Sequence, residues 1–132
     1  MRKNEVYLCL DIGTKYIGCA ISYYSNKTKI IKQLNFIRIK RNKISYFNLE
    51  LIIKKWKPNL IVVGKPNENQ FIFFFIKKLA KIVSIKYEID IKFVCEHLTS
   101  WEAKNTYKKK HTREINDYSA LLILKSFLSL QQ

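Results

Sequence analysis

The sequence predicts an α/β domain: a mixed five-stranded sheet, made of a three-strand antiparallel meander plus two parallel strands, flanked by helices. Two observations carry this expectation. The first forty residues hold apolar runs that alternate with polar ones at the period of a strand and are separated by turn-length gaps. Beyond them, segments with apolar residues at helical spacing alternate with short, almost unbroken apolar runs, the pattern of strands covered on both faces.

Tyr7 to Leu10 and Ile17 to Ser22 read as a hairpin, and Lys29 to Ile39 continues it as a third strand through Ile30, Leu34, Phe36, Ile37 and Ile39. Tyr46 to Lys55 places Tyr46, Phe47, Leu49, Ile52 and Ile53 at helical spacing, and Pro58 stops that helix. Leu60 to Gly64 is a buried strand closed by Pro66 and Asn67. Gln70 to about Ile85 is helical through Phe71, Phe74, Phe75, Ile76, Leu79, Ile82 and Val83. Its aromatic cluster reads as core packing, with a base-stacking platform as the alternative. Ile89 to Glu96 is another alternating strand, and Thr99-Ser100-Trp101-Glu102 has the form of a capping box that starts a helix. The last helix runs from about Glu114 to Leu130.

With 132 residues and 48% apolar content, the chain is expected to form one domain over residues 1–132, burying roughly two-thirds of its unfolded surface. No apolar run is long enough for a membrane span or a signal peptide. Cys9, Cys19 and Cys95 sit in apolar strands without CxxC spacing and read as reduced core thiols, which fits a cytoplasmic location. The net charge of +15 favours a polyanionic partner, nucleic acid above all, although Lys, Ile, Asn, Phe and Tyr are also the residues that AT-rich codons supply.

The stretch DIGTKYIGCA, from Asp11 to Ala20, joins a strand, an acid, a glycine turn and a returning strand. Gly13 lacks a Cβ, so a tight turn or a closely approaching polyanion is expected there. A carboxylate at a strand mouth suits a metal ion or a phosphate site. Glu96 ends a later strand in the same way, and hard divalent ions take oxygen ligands of this kind.

Strand and helix order, with acids ending the first and last strands, matches a ribonuclease H-like layout. The chain also resembles the YqgF (RuvX) family of pre-16S rRNA nucleases, formerly grouped as Holliday-junction resolvases. Four blocks carry the resemblance: DIGTKYIGCA from Asp11, LIVVGKP from Leu60, FVCEHLTSWEA from Phe93 and NDYSALLILKSFL from Asn116. The first is close to the family's DxGxKxIGxA. In the third, Glu96, Leu98, Thr99, Glu102 and Ala103 match, while Cys95 stands at an acid's position and His97 at an arginine's. In the fourth, the family's acid falls on Asn116, and Asp117 is one position later. One residue turns a helical side chain by about 100°. With both residues expected in the first helical turn, where a helix can start irregularly, Asp117 or Asn116 is the candidate. An acid there also has an alternative role, capping the helix or stabilising its positive end.

The resemblance implies a nuclease that hydrolyses phosphodiesters with Mg²⁺ or Mn²⁺, two ions about 3.5 to 4 Å apart. Asp11 would bridge them, Glu96 would hold one, and Asp117 or Asn116 would complete the shell. It also implies that Lys15, Thr14 and Thr99 meet the substrate, and Lys108, Lys109, Lys110 and Arg113 are the candidate backbone-binding strip. The implied substrate is the 5′ end of precursor 16S rRNA, free or in a ribosomal particle, met by a monomer or weak dimer. Two alternatives stay open, a Holliday-junction resolvase and an RNA-binding module that has lost catalysis through the changes at Cys95, His97 and Asn116. An actin-like nucleotide site, which a DxGT turn also opens, needs a second such domain.

Overall fold

A computed structural model describes residues 1–13, 15–40, 43–65, 70–95 and 112–131. Strands β1 (Tyr7–Ile12), β2 (Tyr16–Ser25) and β3 (Thr28–Lys40) form the antiparallel meander, and β5 (Leu60–Lys65) and β6 (Asp90–Cys95) add to β1 in parallel. These are the five strands expected. A two-residue strand, β4 (Lys43–Ile44), extends the outer edge of β3, giving the order β4-β3-β2-β1-β5-β6. Two residues carry no readable period, which is why the sequence does not announce β4.

Helices α1 (Tyr46–Trp56) and α2 (Gln70–Lys86) cover one face of the sheet, and α3 (Thr112–Leu130) covers the other. Strand alternation sorts the core accordingly. Leu8, Leu10 and Ile12 of β1 pack with Leu49 and Ile53 of α1 and with Leu79 and Val83 of α2. Tyr7 and Cys9 pack with Ala120, Ile123, Leu124 and Leu128 of α3. Cys9 and Cys19 are thus buried thiols on opposite faces, as expected of core cysteines, and the Cys19 Sγ lies 3.6 Å from the Ile17 carbonyl that accepts its proton.

The helix boundaries follow local chemistry. The Ser45 hydroxyl accepts from the Asn48 N–H at 3.4 Å and caps the N-terminus of α1. At the other end Lys57 adopts φ 47° and ψ 59°, the left-handed conformation that closes a helix, and donates its N–H to Ile53. Glu88, with φ 53°, takes the same left-handed conformation after α2, and the Tyr87 and Ile89 N–H groups both donate to the Val83 carbonyl.

Several expectations need correction. The turn expected at Gly13 is present, its N–H donating to the Tyr16 carbonyl at 2.9 Å, but Gly13 makes it without a positive φ. Phe47 and Phe74 are each 71% exposed, because α1 and α2 bury a single stripe and these two lie off it. The expected aromatic core of α2 is therefore aliphatic where it is described, through Ile76, Leu79 and Val83. Helix α3 begins at Thr112, earlier than expected, so Asn116 and Asp117 fall in its second turn. The helix expected after Thr99 lies outside the described residues. Among the described residues no helix is long and apolar enough to cross a membrane.

Candidate active site

Asp11 is the buried acid of β1, 6% exposed at the C-terminal end of the strand. It follows Tyr7 and Cys9 on the face that α3 covers, one residue further along the alternation. Its two neighbours across the sheet are both glycine: Gly18 on β2 and Gly64 on β5. The next residue in that row, on β6, is Val94. Lower rows are filled, with Cys9 between Ala20 and Val62, and Tyr7 between Ser22 and Leu60. Asp11 thus has a residue without a side chain on each flank, and all three positions are buried. Of the chain's three glycines, two flank Asp11 in this way and the third, Gly13, follows directly after Ile12.

The second wall comes from α3. Phe127 meets Tyr7 with ring centroids 6.0 Å apart, and the terminal amine of Met1 reaches Gln131 at 3.4 Å, so the end of α3 sits at the start of β1. The helix then runs back toward Asp11. Ten residues of helix cover about 15 Å, and the four steps from Tyr7 to Asp11 cover about 13 Å. Laid antiparallel to β1, α3 would bring its backbone at Asn116 and Asp117 level with Asp11. By helical phase Asn116 falls on the stripe of Ala120 and Ile123 and Asp117 on that of Leu124 and Leu128, and both stripes are buried against the sheet.

The third feature is a β-bulge. Ile17 pairs with Ile37 but Cys19 pairs with Leu34, so β3 carries one extra residue opposite Gly18, in the row of Asp11. Beside it Tyr16 pairs with Arg38. The Tyr16 and Phe36 rings meet edge to face at 4.8 Å, and the Arg38 guanidinium lies 5.9 Å from the Tyr16 ring centre.

Lys15 is exposed in the turn between β1 and β2, its carbonyl accepting from the Ile39 N–H at 2.7 Å, at the Asp11 end of the sheet. Glu96, Thr14, Thr99, Lys108, Lys109 and Lys110 lie outside the described residues, as do the side chains of Asn116, Asp117 and Arg113. Among the described residues no three potential metal ligands cluster. Sequence reasoning missed Gly18 and Gly64 as flanks of the carboxylate, and Tyr16, Phe36 and Arg38 as its neighbours. Only pairing between strands reveals them, since Gly64 is more than fifty residues from Asp11 in sequence.

The Asp11 carboxylate is a hard oxygen donor of the kind divalent ions take, and the residues on both of its flanks are glycine.

Comparison with known proteins follows the same lines. The RuvX family model, described as Holliday junction resolvase, matches residues 5–130. A Buchnera aphidicola protein named "Putative pre-16S rRNA nuclease" is 33% identical, covering 92% of this chain and 95% of its own length. A protein of the same name from Haemophilus ducreyi is 31% identical over 91% and 93% of the two chains. Among solved structures, T. thermophilus RuvC in complex with a Holliday junction substrate superposes with a TM-score of 0.59 at 7% identity, over 89% of this chain and 90% of that one. The fowlpox virus Holliday junction resolvase gives 0.52 at 18% identity, over 95% and 99%. At such identities these two show the ribonuclease H-like fold alone.

Proposed function

Because this chain belongs to the RuvX family, we propose that it is a divalent-metal-dependent nuclease that trims the 5′ end of precursor 16S rRNA. The observation that carries the chemistry is the buried Asp11 carboxylate between Gly18 and Gly64, at the carboxyl end of the central strand. The names of the curated relatives favour the rRNA substrate, and the description of the family model favours a four-way DNA junction as the second reading.

In this proposal Asp11, Glu96 and a residue of the second turn of α3 would hold Mg²⁺, which would supply Lewis-acid chemistry for phosphodiester hydrolysis. The residues of the chain do the rest. Asp11 holds a carboxyl group in a fixed position on a central strand that pairs on both sides. The glycines at 18 and 64 leave room for a phosphate to come close to it, and Lys15 offers a cation at the mouth. Asn116 or Asp117 would complete the set in this reading, Asn116 with a neutral amide and Asp117 with a charged carboxylate.

The test is cleavage by purified protein of precursor 16S rRNA and of a four-way DNA junction, with Mg²⁺ and with EDTA. Mg²⁺-dependent cleavage of the rRNA, abolished in Asp11→Asn, is expected. Cleavage of the junction alone rejects the substrate, and salt-sensitive RNA binding without turnover rejects the enzyme in favour of a binding module.

A further inference from the structure

The trio at the bulge of β3 has no part in holding a metal, yet it stands in the neighbourhood of Asp11. Asp11, Gly18 and the bulge share one row of the sheet, and Gly13, Tyr16 and Arg38 share the next row on the same face, two residues on. Tyr16 is thus diagonal to Asp11, roughly 7–8 Å away by the geometry of antiparallel pairs, and Gly18 places no side chain between them. Alternation along β2 puts Tyr16 on the face of Asp11, since Ile17 packs into the opposite core.

We propose that Tyr16 and Arg38 form a binding platform for an unpaired nucleotide next to the phosphate that Asp11 serves. The proposal rests on the nuclease reading above and adds to it the form of the substrate at the site, a single strand. Three features support it. The Tyr16 ring is half-buried and braced edge to face by Phe36, so little side-chain freedom is lost when a base stacks on it. The Arg38 guanidinium is exposed and held over the same ring, which presents a flat cation beside a flat aromatic, the combination that binds a base and its phosphate together. No acid occurs in the sequence between Asp11 and Glu50, so Arg38 and its neighbours on β2 and β3 form a strip without a counter-charge of their own strands.

A hydrophobic brace alone would not call for the arginine. Phe36 and Tyr16 would cover the bulge equally well beside a neutral residue. An arginine poised near the ring and open to solvent fits recognition of a phosphate better than it fits packing.

The test measures binding apart from cleavage, with Asp11→Asn protein and, as a check on that variant, wild type in EDTA. The probes are a single-stranded RNA oligonucleotide carrying 2-aminopurine and a duplex RNA of the same length. Tyr16→Leu keeps the apolar contact with Phe36 and is expected to weaken single-strand binding about tenfold while leaving the duplex unchanged. It is also expected to remove the quenching of 2-aminopurine that stacking produces. Arg38→Ala is expected to reduce the salt slope of single-strand binding by about 0.7, and Arg38→Lys to restore it. Unchanged affinity and quenching in Tyr16→Leu, or losses equal for single strand and duplex, overturn the platform. If the variants lose binding as described but wild type cleaves nothing in Mg²⁺, the nuclease reading fails and the platform stands. If wild type cleaves and both variants keep its KM, the platform fails and the nuclease reading stands.

Discussion

Asp11 and Gly64 occupy the same rung of the parallel ladder between β1 and β5, so the carboxylate has a residue without a side chain as its neighbour on one flank and Gly18 on the other. Any Cβ substituent at position 64 would point into the space beside that carboxylate. Gly64→Val is therefore expected to leave the sheet intact, valine being at home in a central strand, and to lower kcat by roughly a hundredfold, the cost of small misplacements at a reacting centre. Circular dichroism together with cleavage rate checks it. Full activity in a folded Gly64→Val protein would show that this flank is not where the phosphate sits.

The second turn of α3 offers two residues, and the helical phase separates them. If Asn116 is the third ligand, Asn116→Asp adds a negative charge to the metal shell and is expected to lower the Mg²⁺ concentration for half-maximal binding about tenfold. Asp117→Asn should change it little. Titration of Mn²⁺ binding by calorimetry decides between them. The reverse outcome would make Asp117 the ligand.

The Tyr46 hydroxyl is buried without a hydrogen-bond partner among the described residues, and burial pushes its phenol above the ordinary tyrosine range. Tyr46→Phe removes only the orphaned oxygen and keeps the ring over which Lys78 lies at 5.2 Å. The variant is expected to be more stable by about 1 kcal/mol. Urea unfolding would show a higher midpoint at an unchanged slope.

Helices α1 and α2 are tied on their outer side by Lys86 and Glu50 at 2.8 Å. The hydrogen bond from Lys86 holds the Glu50 carboxyl below the usual glutamate range, and Glu50 in turn raises Lys86. A depressed carboxylate contributes stability above its unfolded pKa and loses it as the pH falls through the folded one. The raised lysine contributes below its unfolded pKa and loses it as the pH rises through its own folded value. Glu50→Gln should therefore lower Tm slightly at neutral pH, and the difference should vanish on the acid side of the carboxylate range. Because the pair is open to solvent, 1 M salt should also erase it. Thermal melts across pH and salt test this.

The sequence by itself carried the strands, the main helices and the identity of the central acid. Those features are written in short-range patterns: period two in β1 to β3, the unbroken run Leu60 to Val63, the serine before α1, and a carboxylate between an apolar run and a glycine. Helix burial was only partly legible. An apolar residue at roughly helical spacing can still miss the buried stripe, as Phe47 and Phe74 do, because α1 and α2 each meet the sheet along one narrow line.

What lies beside Asp11 was decided by tertiary structure alone. The parallel register brings Gly64 to one flank, the hairpin register brings Gly18 to the other, and the extra residue in β3 sets Tyr16 and Arg38 next to them. Register is fixed by how whole strands pack their alternate faces against helices, so it has no signature at the individual residue. The same holds for the level and phase of α3 against β1, which rest on Phe127 meeting Tyr7 at the far end of the helix.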